Sequence, residues 1–299
     1  NGMKLMAVAI QNDGKILIAG DFDTFSGTAT TYITRLNTDG SLDNTFNIGA
    51  GNLNGPNGTV NCIFIQDDGK IVLGGDFTYY NGVQKKRIVR LNVDGTIDNT
   101  FNTGLGNGAD DEIQAIAQQV DGKLMIGGQF TVYNGYNSNG IARINSDGTF
   151  DPTFDDGAGV VPGVNGEVRD IAIQNDGKII IGGSFSAYNS NQSNMIARIN
   201  VDGSFDGSFS VGTAFSLPIQ SIIIQNDGKI IVGGMFDQYS GTWIGYLTRL
   251  NQDGSLDSSF DTSVGANWLI NRIAVQSDGK IVIGGGFNSY NSTSRKKIA

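Results

Sequence analysis

The 299-residue chain contains no histidine, and with histidine goes the side chain most often used as a general base or metal ligand near neutral pH. It holds one cysteine, Cys62, so no intrachain disulfide can form. Cys62 stands at a strand position filled elsewhere by Ala7, Ala115 and Ser221, which reads as a small buried thiol rather than a reactive one. Proline is scarce, with four residues, and tryptophan scarcer, with two, so neither can belong to a motif used in every repeat. No apolar run reaches the roughly 20 residues of a membrane-spanning helix. Lys and Arg number 20 against 29 Asp and Glu, a formal charge of −9. That balance argues against nucleic acid and membrane insertion, because phosphate binding calls for clustered Lys and Arg. No Met opens the chain and no signal sequence is legible at Asn1, so it reads as processed or as a segment of something longer.

Glycine is what the chain has in quantity, 44 residues, and the glycines recur at fixed points. The stretch Asn175-Asp176-Gly177-Lys178-Ile179-Ile180-Ile181-Gly182-Gly183-Ser184-Phe185 is one of six copies, with Asp-Gly-Lys beginning at Asp13, Asp68, Asp121, Asp176, Asp227 and Asp278. An alternating strand precedes each copy, as at 168–173. The Asp-Gly pair between apolar runs marks a hairpin, since Gly accepts the positive φ of the turn. The following strand is nearly continuous Ile or Val, the pattern of a strand covered on both faces. Its closing Gly-Gly leaves room for a neighbouring backbone or ring.

A polar loop with Tyr-Asn-Gly or a variant comes next, then a third strand with Ile-x-Arg-Leu/Ile-Asn. A second Asp-Gly turn follows at Asp39, Asp94, Asp147, Asp202 and Asp253, and the repeat ends in Asp-x-x-Phe. The two Asp-Gly turns stand 26 residues apart in all five complete repeats, whereas the separation to the next repeat varies from 25 to 29. Four strands in a rigid unit joined by variable linkers predict an all-β fold, a β-propeller of four-stranded antiparallel blades with six repeats visible. The repeats run over about 1–54, 55–109, 110–162, 163–215, 216–266 and a partial 267–299. Strand parity puts both Asp-Gly turns at one end of each blade, and the second-to-third loop and the linker at the other. Variable loops on a rigid scaffold are where binding is expected.

Several side-chain sets invite both a functional and a structural reading. Arg35 and Asp43 recur as Arg90/Asp98, Arg143/Asp151, Arg198/Asp206 and Arg249/Asp257. Five equivalent copies favour a structural pair fixing the third and fourth strands over a ring of ligand-binding charges. The rhythm Asn-x-Asp-Gly-x-x-Asp, as in 37–43, resembles an oxygen-ligand calcium loop, but the closing Glu of such loops is missing. No cofactor is therefore expected, with calcium kept as an alternative. Trp243, in the second-to-third loop of repeat five, and Trp268, in the linker after it, occupy no repeat-invariant position. With Tyr239 and Tyr290 they are the candidate binding residues, able to stack on sugar faces or anchor a protein. Asp170 and Arg272 share one first-strand position and are candidates to line a central channel. Glu112 and Glu167 precede first strands of different repeats and do not mark a catalytic pair.

The pattern Gln-x-Asp-Gly-Lys-Ile-x-Ile-Gly-Gly-x-Phe, continued by Ala-Arg-Leu/Ile-Asn-x-Asp-Gly-Ser/Thr-x-Asp-x-x-Phe, resembles the delta-60 repeat family of bacterial and phage β-propellers. It is similar to kelch blades in its apolar strand ending in Gly-Gly, but kelch blades carry Trp where this chain has Phe46, Phe101, Phe154, Phe209 and Phe260. The resemblance implies an extracellular, bacterial cell-surface or virion protein and supplies no catalytic residues.

The reading that follows is a non-catalytic module for recognition or assembly, binding glycan or protein through the variable face, with other chains of a larger assembly as further partners. A purely structural spacer of a surface or tail protein, and a glycan-active enzyme using Asp170 or Glu167, stand as the alternatives.

Overall fold

The computed structural model describes residues 4–46, 55–101, 108–154, 163–212, 215–260 and 265–299. Every regular element among them is a β-strand. Each of the first five repeats forms a three-stranded antiparallel sheet in the order first, second, third strand, and the sixth keeps two strands, with Ile298 bridging back to Gly284. These are the blades of a β-propeller, with the last one partial. The fourth strand is contracted to one antiparallel bridge: Leu36 to Leu42, Leu91 to Ile97, Ile144 to Phe150, Ile199 to Phe205 and Leu250 to Leu256. The contraction has a local cause. One residue beyond each bridge, as at Asp43, the carboxylate accepts from the amide two residues on and the carbonyl from that of Phe46, which bends the chain away.

The first Asp-Gly turn behaves as its sequence demands. Gln11 and Lys15 close it through Gln11 N to Lys15 O at 2.8 Å, Gly14 takes φ of 81°, and Asp13 Oδ1 accepts from Lys15 N at 3.1 Å. The Tyr-Asn-Gly stretch is a hairpin in its own right rather than the loop expected from sequence. Val132–Tyr133 pairs with Tyr136–Asn137, and Asn134 and Gly135 adopt φ of 49° and 86°. Two successive positive φ values are the signature of a type I′ turn, for which Asn-Gly is the preferred pair.

The Gly-Gly pair is filled on both sides. A β-bulge in the first strand, between Val168 and Asp170 in blade four, presses the Glu167 carbonyl onto Gly183. The preceding glycine faces the next blade instead. At Gly74 a β-carbon would stand 2.7 Å from Ile113 Cγ2 and 2.7 Å from Cys62 Sγ; at Gly233 it would stand 2.9 Å from both Ile270 Cγ2 and Ile273 Cδ1. The expected neighbour, backbone or ring, is thus a backbone on one side and an isoleucine on the other. Cys62 is half-buried in this contact rather than fully enclosed.

The blades fall into two compact units, Asn1–Ser138 with Ala142–Asp151, and Asn139–Ile141 with Pro152–Ala299. In the first, Leu17 and Ile33 of blade one pack with Val60, Leu73 and Phe77 of blade two, and Val72 and Ile88 with Ile113, Ile126 and Phe130 of blade three. In the second, Ile180 and Ile196 pack with Ile219, Val232 and Phe236, and Ile231 and Leu247 with Ile270, Ile283 and Phe287. A blade therefore completes its core only with its neighbour, as stacked repeats do.

Candidate functional site

The Arg–Asp pairs are struts, buried in blades one to four and half-buried at Arg249 in blade five. Arg35 Nε donates to Asp43 Oδ2 at 2.8 Å, and both residues are buried. The same contact joins Arg90 to Asp98, Arg143 to Asp151, Arg198 to Asp206 and Arg249 to Asp257. Each strut has a partner that sequence reading missed: the Lys of Asp-Gly-Lys, whose Nζ reaches the same carboxylate 28 residues on, as Lys15 to Asp43 at 2.8 Å. Burial works to raise the Asp43 carboxyl, but hydrogen bonds from Lys15, Thr45 and Arg35 outweigh it and hold the group well below the carboxylate range. The guanidinium also lies over the closing aromatic, 4.7 Å from the Phe46 ring centre, and donates across to the Val93 carbonyl of blade two. With all faces engaged, these pairs offer nothing to a ligand.

The tyrosines divide from the tryptophans. Tyr239 is buried and donates to the Gly254 carbonyl at 2.7 Å, as Tyr133 does to Gly148 at 2.7 Å. Burial, with Asp253 adding to it, pushes the Tyr239 hydroxyl up to about 12. The expectation that Tyr239 contacts a ligand is therefore corrected: it ties the hairpin to the second Asp-Gly turn. Tyr290 is half-buried against the blade-six cluster of Ile270, Ile283 and Phe287, a packing position as well. The Asn of Tyr-Asn-Gly is equally structural, since Asn134 Oδ1 accepts from Gly108 N at 2.8 Å and Asn81 Oδ1 from Gly55 N at 2.6 Å.

Asp170, Ser221 and Arg272 stand at one register position, opposite Gly182, Gly233 and Gly284 on three consecutive first strands of the second unit. Asp170 Oδ2 accepts from Ile222 N of the next blade at 2.7 Å and Oδ1 from Ile171 N at 3.0 Å. Ser221 Oγ accepts from Ile273 N at 3.2 Å, and Arg272 reaches back to the Gln220 carbonyl at 2.9 Å. Burial pushes the Asp170 carboxyl up against the pull of Arg272 and those amides. The row stitches blades four, five and six together. Glu167 is held by Arg169, and Glu112 accepts from Asn61 Nδ2 at 2.9 Å, so each glutamate is engaged within its own unit.

Trp243 and Trp268 are 50% and 55% exposed, by far the largest exposed rings of blades five and six. Trp243 ends the hairpin of blade five, and Trp268 lies two residues before the first strand of blade six. Each indole rests on a glycine. A β-carbon at Gly245 would come 2.9 Å from Trp243 Cη2, and one at Gly286 would come 2.6 Å from Trp268 Cδ1. Tyr246, the residue after the glycine that seats Trp243, has its ring centre 6.1 Å from that of Trp268 in a tilted pair. Two half-exposed indoles thus stand at the hairpin end of successive blades, Trp268 with Tyr246 beside it and Trp243 on the glycine that precedes Tyr246. Leu217, at the position of Trp268 one blade earlier, and Met235, at that of Gly286, are exposed apolar side chains of the same end.

The inter-blade linkers expected to bind fall largely at 47–54, 102–107, 155–162, 213–214 and 261–264, outside the described residues. In the calcium-like rhythm, Asp39 Oδ1 accepts from Ser41 N at 2.9 Å and from Ser41 Oγ, while Asp43 belongs to the strut. Among the described residues no three His, Cys, Asp or Glu side chains converge on a common point.

Six stretches of the chain, residues 11–46, 66–101, 119–154, 174–209, 225–260 and 276–299, match the family model described as a domain of unknown function (DUF5122) β-propeller. No curated protein matches the sequence. Among solved structures, the WD40 β-propeller domain of Doa1 superposes with a TM-score of 0.60 at 15% identity, over 94% of this chain and 75% of that one. A streptogramin B lyase gives 0.57 at 15%, over 93% and 75%. The virginiamycin B lyase of Staphylococcus aureus gives 0.57 at 18%, over 93% and 76%. These neighbours differ in function, and at such identity they establish the fold alone.

Proposed function

We propose that this chain, which belongs to the DUF5122 β-propeller family, is a non-catalytic recognition module that binds glycan on the ledge formed by Trp243, Tyr246 and Trp268. The half-exposure of both indoles, each seated on a glycine, carries the reading. Two indoles, each half in water and each held against a glycine, leave apolar surface exposed that a ligand can cover. Fixed planar rings suit the apolar faces of pyranose sugars, and their seating reduces the ordering cost of binding. Polar groups suited to sugar hydroxyls stand on the same loops, among them Ser216, Asp237 and Asn267.

The delta-60 likeness, and with it placement at a bacterial surface or on a virion, is part of this proposal and rests on the Gln-x-Asp-Gly-Lys and Asp-x-x-Phe motifs. Against lyase chemistry stands the composition: a histidine-to-alanine variant of the virginiamycin B lyase is catalytically inactive, and this chain has no histidine. Exposed Leu217 and Met235 on the same end favour a second reading, a protein partner anchored by the same rings. A glycan array probed with the parent and a Trp243→Ala/Trp268→Ala variant tests the first. Hits lost with the rings support it, and an array blank for the parent contradicts it.

A further inference from the structure

One position, just ahead of the first strand, clamps the start of the hairpin in its own blade. Asn57 Oδ1 accepts from Thr78 N at 2.8 Å and Tyr79 N at 2.9 Å, while its Nδ2 donates to Thr78 Oγ1 at 3.0 Å. Asn165 repeats this in blade four, with Ser186 N and Ala187 N both at 2.9 Å and Ser186 Oγ at 2.8 Å. Both asparagines are exposed, and each precedes a glycine. That glycine is fixed by packing: a β-carbon at Gly58 would stand 3.0 Å from the Asp76 carbonyl oxygen, and one at Gly166 would overlap that of Ser184. Among the described residues no hydrogen bond occupies either glycine amide.

Blade three carries an acid at the same position. Asp110 Oδ1 accepts from Thr131 N at 2.8 Å and Val132 N at 2.9 Å, and its Oδ2 accepts from Thr131 Oγ1 at 2.7 Å. The clamp thus holds amide and carboxylate alike, since the hydroxyl accepts from the one and donates to the other. Burial works to raise the Asp110 carboxyl, but hydrogen bonds from Thr131 and Val132 outweigh it and hold the group below its ordinary value.

We propose that Asn57 and Asn165 are self-deamidating sites, converted by water to aspartates that the clamp retains as it does Asp110. The glycine amide nitrogen loses its proton and bonds to the asparagine Cγ. The bond from Cγ to Nδ2 breaks, ammonia leaves and a succinimide closes. One water then opens the ring, and its attack at Cγ restores the ordinary backbone and leaves aspartate. Two N–H groups on Oδ1 stand where negative charge gathers in both steps, and the Thr78 or Ser186 hydroxyl is placed to return a proton to the departing nitrogen. Asn267 has the two amides, from Asn288 and Ser289, but Trp268 follows it and Asn288 supplies no hydroxyl. Asn81 and Asn134 also precede glycine, but they sit at φ of 49° in hairpin turns, with Oδ1 on one amide each. Each conversion makes the hairpin end more negative by one charge.

The purified chain, incubated in mildly alkaline heavy-oxygen water and read by peptide mass spectrometry, tests this beside the same chain unfolded in guanidinium chloride. In the folded protein Asn57 and Asn165 are expected to take up the label about tenfold faster than Asn81, Asn134 and Asn267, and to yield a higher share of aspartate over isoaspartate than the unfolded chain does. Thr78→Val is expected to slow Asn57 several-fold, with Asn165 in the same molecule as its unchanged control. The Asn57→Asp/Asn165→Asp variant is expected to keep the thermal midpoint of the parent, because the clamp already holds Asp110. Folded-state rates at Asn57 and Asn165 no higher than at Asn134 would overturn the proposal. So would an unchanged aspartate share, a Thr78→Val rate equal to the parent's, or a double variant that melts below the parent.

Discussion

The guanidinium of Arg90 in blade two donates to the backbone carbonyl of Ser146, 56 residues on in the second Asp-Gly turn of blade three. The same side chain holds Asp98 at 2.8 Å and stacks on Phe101, so one buried cation fixes a blade internally and fastens it to the next. Arg90→Ala would leave buried Asp98 with Lys70, at 2.9 Å, as its cation, besides the hydrogen bonds from Thr100. The expected loss of stability is about 3–5 kcal/mol, read from guanidinium denaturation. Arg90→Lys should recover little of it, because a compact ammonium cannot reach carboxylate, ring and carbonyl together.

Acid should unfold the protein through the same struts. Asp43, Asp98, Asp206 and Asp257 all have carboxyls held well below their ordinary range. Their folded pKa values lie beneath the unfolded value of about 3.9, so the fold favours the ionised form. Their stabilisation is complete above that value and is lost as pH falls below about 4. Asp170 has the opposite sign: its carboxyl is raised, so its charge weakens the fold near neutrality and the penalty fades on acidification. Circular dichroism followed from about pH 7 to about pH 2 reads the loss, and a fold equally stable through that range would contradict this.

The first glycines of two Gly-Gly pairs make a matched pair of tests. Gly74→Ala places a methyl group 2.7 Å from Ile113 and Cys62, and overpacking of that kind costs about 1–3 kcal/mol. Gly284→Ala meets nothing closer than 3.8 Å and should leave stability within about 0.5 kcal/mol of the parent. Urea unfolding of the two variants reads the difference.

Tyr239→Phe should separate packing from recognition. It removes the buried hydrogen bond to Gly254 and leaves that carbonyl without its tyrosine donor, at a cost of about 1–3 kcal/mol. Glycan affinity at temperatures well below unfolding should not change.

Much of the fold was legible because local chemistry and global period agree. Asp-Gly turns need their glycine φ, continuous Ile runs need cover on two faces, and the fixed 26-residue spacing leaves variation only to the linkers. The structural role of the Arg–Asp pairs could be read from their recurrence. The third partner could not, since Lys15 meets Asp43 only after two turns of chain bring residues 28 apart together. Tyr-Asn-Gly misled in two ways. Its Asn-Gly is a type I′ hairpin signal hidden by strands of two residues, and its tyrosine looked like contact chemistry until the hydroxyl was found on the Gly254 carbonyl. For the tryptophans the sequence offered position without exposure, because the glycines that seat them, Gly245 and Gly286, are distant from one another along the chain and unremarkable in a glycine-rich sequence.

The most direct test of the recognition account uses the fact that Trp243 and Trp268 are the chain's only tryptophans, so its indole fluorescence reports on the ledge alone. Emission and iodide quenching would be followed while titrating the strongest glycan from the array. The account predicts a blue shift and loss of quenching that saturate with binding, and an affinity at least about tenfold weaker when either ring is replaced by Ala. A glycan that binds while both indoles stay open to iodide, or binds the double variant equally well, would contradict it.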